Sequence, residues 1–268
     1  MAKKVKHMKV LNGKNWFYAI VRPFYPLIFK KPETINLAGD IPDKHIVVVN
    51  HSAKSGPAAL HIRYPKTTCK WGAYQMFGNY QSRKAYLRDI LYIKKLSMPA
   101  DKKTSFKAAL MARLCPGIYK GMRMMPTYPD ARFTNTLRQS SMVLDANLAV
   151  MVFPENSNDG YKEVLTEFFP GFVMLAEKYY RAKGEDVPVY PAYYSVKKRL
   201  QIIGKPMYVQ DYVKQGMSRE EIAKVFCDAV NQLYYDYVQD YVPPTKEERK
   251  AKEKAAKKAA KAAKKAAK

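Results

Sequence analysis

Two residues suited to acid–base chemistry each follow a strongly apolar run of the sequence. His51 comes after Asn50 and the run "IVVV" (46–49), and Glu155 comes after the run "LAVMVF" (148–153) and a proline. Histidine can take up and return a proton near neutral pH, because its ordinary pKa lies close to that range. An ionised carboxylate accepts hydrogen bonds. The two residues form a candidate site if the fold brings them together.

The elements that must position these residues follow from the pattern of apolar runs. Strands alternate with helices, which indicates an α/β fold. Strands are predicted at 46–49, 69–74, 148–153, 187–196 and 200–209. Helices are predicted over 80–114 with a break near Pro99, over 133–147, over 171–184, and after the capping box Ser218-x-x-Glu221. Ligands of open α/β sheets gather at the carboxyl ends of strands, so we expect His51 and Glu155 at one rim.

The chain is strongly basic, with a net charge of +25 over 268 residues. The low-complexity tail from Thr245 to Lys268 contains ten Lys and one Arg against three Glu, which leaves +17 on the remaining body. That body is large enough for one large domain or two small ones. The charge indicates a polyanionic partner such as membrane phosphate, nucleic acid or a phosphorylated substrate. Base-reading motifs are absent, so we expect no specific nucleic-acid recognition.

The cysteines and the remaining histidines favour neither a disulfide framework nor a metal site. Three cysteines lie far apart in the sequence, which is typical of a protein from a reducing cytosol. The histidines show no zinc-binding spacing, so we expect no metal. Of the four, only His51 has a suitable setting, since the others belong to a basic terminus, a turn before a strand, and a helix (His7, His45 and His61).

Residues 15–29 are mostly apolar and aromatic, but two prolines and an arginine interrupt them. A spanning helix needs about 20 apolar residues, and no signal-peptide cleavage site follows. Aromatic residues flanked by lysines favour a segment that lies in the headgroup region of a membrane, while the alternative is a helix that packs on the same domain. The predicted units are a membrane-interface segment, a main domain and a disordered or helical Lys/Ala tail (1–31, 32–244 and 245–268).

Four short motifs follow one another along the chain. "NHSAKSG" (50–56) resembles the pattern N-H-x-x-x-x-D, with Gly56 in place of the aspartate. "FPENSND" (153–159) resembles F-P-E-G-T-R-S, with Asn156 in place of glycine and Ser157 in place of threonine. Two strand motifs follow, V-P-[IV]-x-P with matches at Val187, Pro188 and Pro191, and G-x-P with matches at Gly204 and Pro206. The helix before them carries the matching glycine, Gly171.

In this order and spacing, from about Asn50 to Tyr212, the chain resembles the glycerolipid acyltransferase family that includes the lysophosphatidic acid acyltransferases. The resemblance implies a mixed sheet flanked by helices. It also implies transfer of a fatty acyl group from an acyl thioester to a hydroxyl of a lysophospholipid, with 1-acylglycerol-3-phosphate as the expected acceptor. No cofactor is implied; the co-substrate is acyl-CoA or an acyl-carrier-protein thioester. The expected location is the cytoplasmic face of an anionic membrane, as a peripheral or monotopic protein.

The resemblance gives His51 the role of general base and Glu155 a role in holding the substrate. The other substrate-binding candidates are Asn50, which also ties its loop together, and Lys54, Arg123, Asn156 and Ser157. The family's arginine motif has no arginine at the expected offset, and Arg123 is the candidate chosen for it over Arg132.

Gly56 raises a separate question, because the family aspartate orients the histidine and stabilises the imidazolium. Three explanations stay open: another group such as Asp159, Ser55 or a backbone carbonyl orients His51; the enzyme is slower and uses an altered acceptor; or the chain is a pseudoenzyme that only binds lipid or another polyanion. We predict an enzyme in which Asp159 takes the orienting role.

Overall fold

The computed structural model describes residues 13, 15–52, 56–245, 247, 248, 251, 254 and 255. Within this part of the chain, one sheet contains the strands β1 (Glu33–Asn36), β2 (Ile46–Val49), β3 (Thr68–Ala73), β4 (Met124–Thr127), β5 (Ala149–Val152), β6 (Val189–Ser195) and β7 (Leu200–Ile203). Their order across the sheet is β1-β7-β6-β2-β5-β3-β4. The strands from β6 to β4 in that order are parallel, β7 is antiparallel to β6, and β1 is parallel to β7.

Helices cover both faces of this mixed sheet. They are α1 (Trp16–Val21), α2 (Tyr25–Ile28), α3 (Gly56–Arg63), α4 (Tyr80–Ala85), α5 (Lys102–Gly121), α6 (Phe133–Asp145), α7 (Gly171–Lys183), α8 (Val209–Val213) and α9 (Arg219–Tyr237). Short 3₁₀ turns occupy Arg22–Phe24 and Tyr74–Phe77, and a wider π-helical segment, Tyr86–Lys95, continues α4. The predicted α/β fold with a mixed sheet flanked by helices is therefore confirmed.

The apolar run of β2 follows from its place in the middle of the sheet. Alternate side chains of a strand point to opposite faces. Ile46 and Val48 accordingly pack in the core cluster that includes side chains of α6, α7 and α9, while Val47 and Val49 pack with Leu60 of α3. A strand covered on both faces reads as a continuous apolar run, which explains why "IVVV" shows no alternation.

The predicted elements agree with the structure best where the pattern is long or strongly apolar. The capping box at Ser218 is present, with hydrogen bonds in both directions between Ser218 and Glu221. The strand predicted over 200–209 ends at Ile203, although Gly204 still donates to the Pro191 carbonyl at 2.8 Å and Met207 forms an isolated antiparallel bridge with Val189. The edge strands β1 and β4 were not predicted.

The N-terminal segment is packed on the main domain along one side and exposed along the other. Tyr18 and Tyr25 are buried, while α1 lies against α5 at Gly117 and Gly121. A Cβ at Gly121 would overlap the Tyr18 ring, so only glycine allows this close approach. None of the described helices combines the length and apolar character needed to cross a bilayer. Most of the predicted tail, like residues 1–12, lies outside the described residues.

Candidate active site

His51 and Glu155 lie together at one rim of the sheet. They follow β2 and β5, which are parallel neighbours. The backbone N–H of His51 donates a hydrogen bond of 2.8 Å to the Glu155 carboxylate at Oε2. Both strands end at the same edge. Because His51 is the second residue after β2 and Glu155 the third after β5, the two residues meet although they are about a hundred positions apart in the sequence.

The loop after β2 is fixed on both sides of His51. The Asn50 amide accepts a hydrogen bond from the Tyr194 N–H at 2.8 Å and donates one to the Tyr194 carbonyl at 3.0 Å. Ser52 has a left-handed backbone, with φ of 45°, and its hydroxyl accepts from the Val196 N–H at 3.0 Å. Asn50 is buried and uses both ends of its amide on β6. It therefore ties the loop to the sheet, and its predicted contact with substrate is not supported by this placement.

The His51 imidazole packs against two aromatic rings. Its ring centroid is 4.7 Å from that of Phe153 and 5.1 Å from that of Tyr161. The Nδ1 atom is buried and has no hydrogen-bond partner among the residues that the structure describes. Burial lowers the pKa of His51 to about 3, and the charge of Lys95 acts in the same direction. The free imidazole is therefore neutral near pH 7, and the same burial makes it a weak base.

Glu155 is a buried carboxyl group whose loop is held by a short antiparallel contact. The chain pairs at Glu155 and Phe168, and the Asn156 N–H and side-chain amide donate to the backbone and carboxylate of Glu167. Burial raises the pKa of Glu155 to about 7, against the opposing effects of the His51 N–H and of Lys95. Glu155 thus changes its charge in the physiological range.

Lys95 and Tyr161 complete the cluster, and the sequence did not predict either of them. The Lys95 ammonium donates to the Ser157 hydroxyl at 2.6 Å and lies 5.7 Å from the Tyr161 ring centroid. Burial lowers the pKa of Lys95, while Glu155 opposes that shift. Lys95 is the last residue of the π-helical segment. Such segments are rare and often occur at functional sites, but no sequence motif marks one.

Several predicted site residues do not contact His51 in the described part of the structure. Arg123 directly precedes β4 and so lies at the amino edge of the parallel strands, opposite the rim that carries His51. This placement does not favour a contact between Arg123 and a substrate held at His51, and the predicted contact stays a prediction. Asp159 has an exposed side chain, and within the described residues it makes no hydrogen bond to the imidazole. Lys54 and Ser55 lie outside the described residues.

Gly56, the position of the missing aspartate, opens α3 directly beneath His51. A Cβ atom placed on Gly56 would overlap the carbonyl oxygen of His51 and lie 2.7 Å from its carbonyl carbon. The backbone φ of Gly56 lies outside the left-handed region, so its conformation does not require glycine. Glycine is required because the His51 carbonyl lies so close. No side chain fits at this position unless the loop moves.

Comparisons with known proteins find similarity at the level of structure and not of sequence. No family model matches the chain, and no curated protein matches its sequence. The fold is similar to the crystal structure of the 1-acyl-sn-glycerophosphate (LPA) acyltransferase PlsC from Thermotoga maritima, with 14% identity and a TM-score of 0.47. The similarity covers 84% of this chain and 80% of that chain. At this level it carries no residue role or activity over to the present protein.

No metal centre is apparent in the part of the chain that the structure describes, where no three His, Cys, Asp or Glu side chains are grouped to hold an ion. The site contains three acid–base groups: a neutral imidazole, a carboxyl group with a pKa of about 7 and the Lys95 ammonium group. Together these can move a proton and balance the charge that the movement creates.

Proposed function

We propose that the protein is an acyltransferase that moves a fatty acyl group from an acyl thioester to the hydroxyl of a lysophospholipid at an anionic membrane surface. The donor is an acyl thioester of coenzyme A or of acyl carrier protein, and 1-acylglycerol-3-phosphate is the leading acceptor. One observation carries the proposal: the histidine and glutamate of the two resembling motifs meet at adjacent strand ends through the hydrogen bond from the His51 N–H to Glu155.

The proposed reaction needs one base and no covalent enzyme intermediate. The His51 imidazole accepts the proton of the acceptor hydroxyl as its oxygen attacks the thioester carbonyl carbon. The new C–O bond forms, the C–S bond breaks, and the imidazolium returns the proton to the leaving thiolate. The neutral imidazole found at His51 is the form that this first step requires.

The charges around His51 determine how readily it forms an imidazolium. Lys95 disfavours a second positive charge beside it, and burial disfavours it further. The ionised form of Glu155 offsets both effects, whereas its protonated form does not. Proton transfer is therefore favoured when Glu155 is ionised, on the alkaline side of its pKa of about 7.

A second candidate function is binding of lipid or another polyanion without catalysis. It is favoured by the absence of any acidic side chain hydrogen-bonded to the imidazole among the described residues, and by the closed space at Gly56. In a serine protease, loss of the carboxylate partner of the histidine lowers the rate by about 10⁴. The two candidates differ in turnover and share the ability to bind lipid.

The test is acyl transfer by the purified full-length protein, with a labelled acyl thioester and lysophosphatidic acid. We expect phosphatidic acid as product and a loss of about 10²–10⁴ in turnover for His51→Ala. The fold should be retained, because the loop is anchored by the backbone N–H of His51 and by its neighbours, as a thermal unfolding curve would show. Asp159→Asn, an exposed carboxylate on the neighbouring loop, is the matched control and should keep wild-type turnover.

Full turnover in His51→Ala would disprove the role of this residue as base. An equal loss in Asp159→Asn would contradict the observed placement of Asp159. A wild-type protein that binds lysophosphatidic acid vesicles yet gives no product with either thioester would favour the non-catalytic candidate.

A further inference from the structure

A second site of unassigned function lies at the amino edge of the sheet. A cavity of about 760 Å³ opens between α1 and the residues that lead into β3. Thr67 and Thr68 at the start of β3 line it, together with Arg123 just before β4. The cavity is therefore at the opposite edge from His51, and α3 carries the chain from one edge to the other.

The walls of this cavity are cationic. Arg22, Lys66 and Arg123 line it with His61, and no Asp or Glu is present among its described lining residues. The Lys66 ammonium also contacts the exposed Asp43 at 3.0 Å. A concave surface lined by one sign of charge concentrates the opposite ion. The cavity is thus suited to an anion.

A buried lysine behind the wall adds to this charge. Lys70 is fully buried, and its ammonium lies 3.2 Å from His61 Nδ1 and 2.5 Å from the Thr68 hydroxyl. Burial lowers the pKa of Lys70 to about 7, and burial followed by the neighbouring cations lowers the pKa of His61 to about 3. An anion in the cavity would relieve this accumulation of positive charge, because opposite charges stabilise one another.

Tyr18 supplies a hydrogen-bond donor without a partner. The residue is only 5% exposed and lines the cavity, and its hydroxyl is unpaired among the described residues. Burial raises the pKa of this hydroxyl, so it keeps its proton. A buried polar group left without a partner is costly and calls for an explanation. A bound anion would accept this hydrogen bond.

The same helical segment presents an apolar surface beside the cavity. Five large apolar side chains of α1, α2 and the turn between them are between 57% and 75% exposed (Trp16, Ile20, Phe24, Leu27 and Ile28). Trp16 also lines the cavity. A soluble anion would gain nothing from such a surface, whereas a lipid offers acyl chains and a charged headgroup together.

We propose that the cavity binds the phosphate group of an anionic lipid headgroup, with Arg22, Lys66 and the Tyr18 hydroxyl as its contacts. The exposed apolar side chains of α1 and α2 enter the bilayer beside it. This is a binding site separate from His51, and it holds whether or not the protein transfers acyl groups.

The test measures binding of the full-length protein to phosphatidylcholine vesicles with and without phosphatidic acid, at a salt concentration of about 0.15 M. Arg22→Gln should weaken binding to the anionic vesicles about tenfold, the usual effect of losing a charged hydrogen bond. Arg138→Gln removes the same charge from the exposed side of α6 and is the matched control, expected within about twofold of wild type because distant charges are screened.

Tyr18→Phe separates a binding role from a structural one. The variant keeps the ring that packs on Gly121 and removes only the unpaired hydroxyl. It should weaken vesicle binding about threefold without lowering the midpoint of thermal unfolding. Wild-type affinity in Tyr18→Phe would remove the hydroxyl from the site.

Inorganic phosphate distinguishes a lipid from a soluble anion. We expect phosphate alone to compete weakly with anionic vesicles, because it lacks the apolar contact. Equal losses in Arg22→Gln and Arg138→Gln would show general charge attraction and overturn the proposal. A soluble ligand would show itself in two results together: inorganic phosphate would stabilise the wild-type protein against heat, and the Arg22→Gln variant would bind vesicles as tightly as wild type. That pair of results would also overturn the proposal.

Discussion

Replacing Glu155 by Gln should change how the stability of the protein depends on pH. The carboxyl group is 6% exposed, and burial raises its pKa from the ordinary 4.5 to about 7. Below pH 4.5 the group is protonated in both the folded and the unfolded chain. Between 4.5 and about 7 the unfolded chain loses its proton while the folded chain keeps it. Unfolding then releases a proton, so the free energy of unfolding falls as pH rises.

The size of this effect follows from the two pKa values. The interval between 4.5 and about 7, at about 1.4 kcal/mol for each pKa unit, gives a loss of about 3 kcal/mol in the wild type across that range. Glutamine has no proton to lose, yet its amide oxygen can accept the hydrogen bond from the His51 N–H. The variant should therefore lack this loss, and its stability relative to wild type should rise by about 3 kcal/mol between pH 4.5 and pH 8.

Urea unfolding of both proteins at several pH values measures this difference directly. Ionisable groups common to both proteins cancel when one curve is subtracted from the other. Parallel curves would refute the reasoning, because they would mean that Glu155 has the same pKa in the folded and unfolded chain. A difference of the opposite sign would mean that the folded state stabilises the ionised carboxylate, for instance by a closer contact with Lys95.

Two further predictions concern turnover and packing. As Glu155 ionises, the value of kcat/KM of the wild type should increase with pH through about 7, measured over about pH 6–8. Glu155→Gln should abolish that increase. A flat wild-type profile would contradict the role given to the carboxylate. Gly56→Asp should lower the free energy of unfolding by about 1–3 kcal/mol and give no gain in turnover, because the new Cβ would overlap the His51 carbonyl. A variant that is as stable as wild type and faster would show that the loop can move to make room for the side chain.

The sequence predicted the parts of the fold that depend on local pattern. The buried runs of β2 and β5 and the capping box before α9 each carry their signal within a few residues. Most of β1 is exposed, and only the first two residues of β4 are buried, so neither strand shows a clear apolar pattern. Their place in the sheet depends on pairing with β7 and β3, which local sequence does not encode.

The candidate site divides in the same way. His51 and Glu155 were predictable because each directly follows a buried strand, and parallel strands share one edge. The position of Arg123 could not be predicted, because it directly precedes β4 and that strand was not recognised in the sequence. Without β4, nothing indicates that Arg123 lies at the amino edge of the sheet. Lys95 and Tyr161 approach from separate segments, and only the three-dimensional fold shows that they surround the imidazole.

A carboxylate partner normally does two things for a catalytic histidine: it orients the ring and stabilises the imidazolium. In the proposed mechanism the two tasks fall to different groups. The rings of Phe153 and Tyr161 pack against the imidazole, whose Nδ1 atom has no hydrogen-bond partner among the described residues. Charge balance falls to Glu155, which is bonded to the backbone of His51 and not to its ring. Stabilisation through a backbone neighbour is weaker than a direct hydrogen bond and depends on ionisation, so this arrangement favours a slower, pH-dependent base over one equivalent to a histidine–aspartate pair.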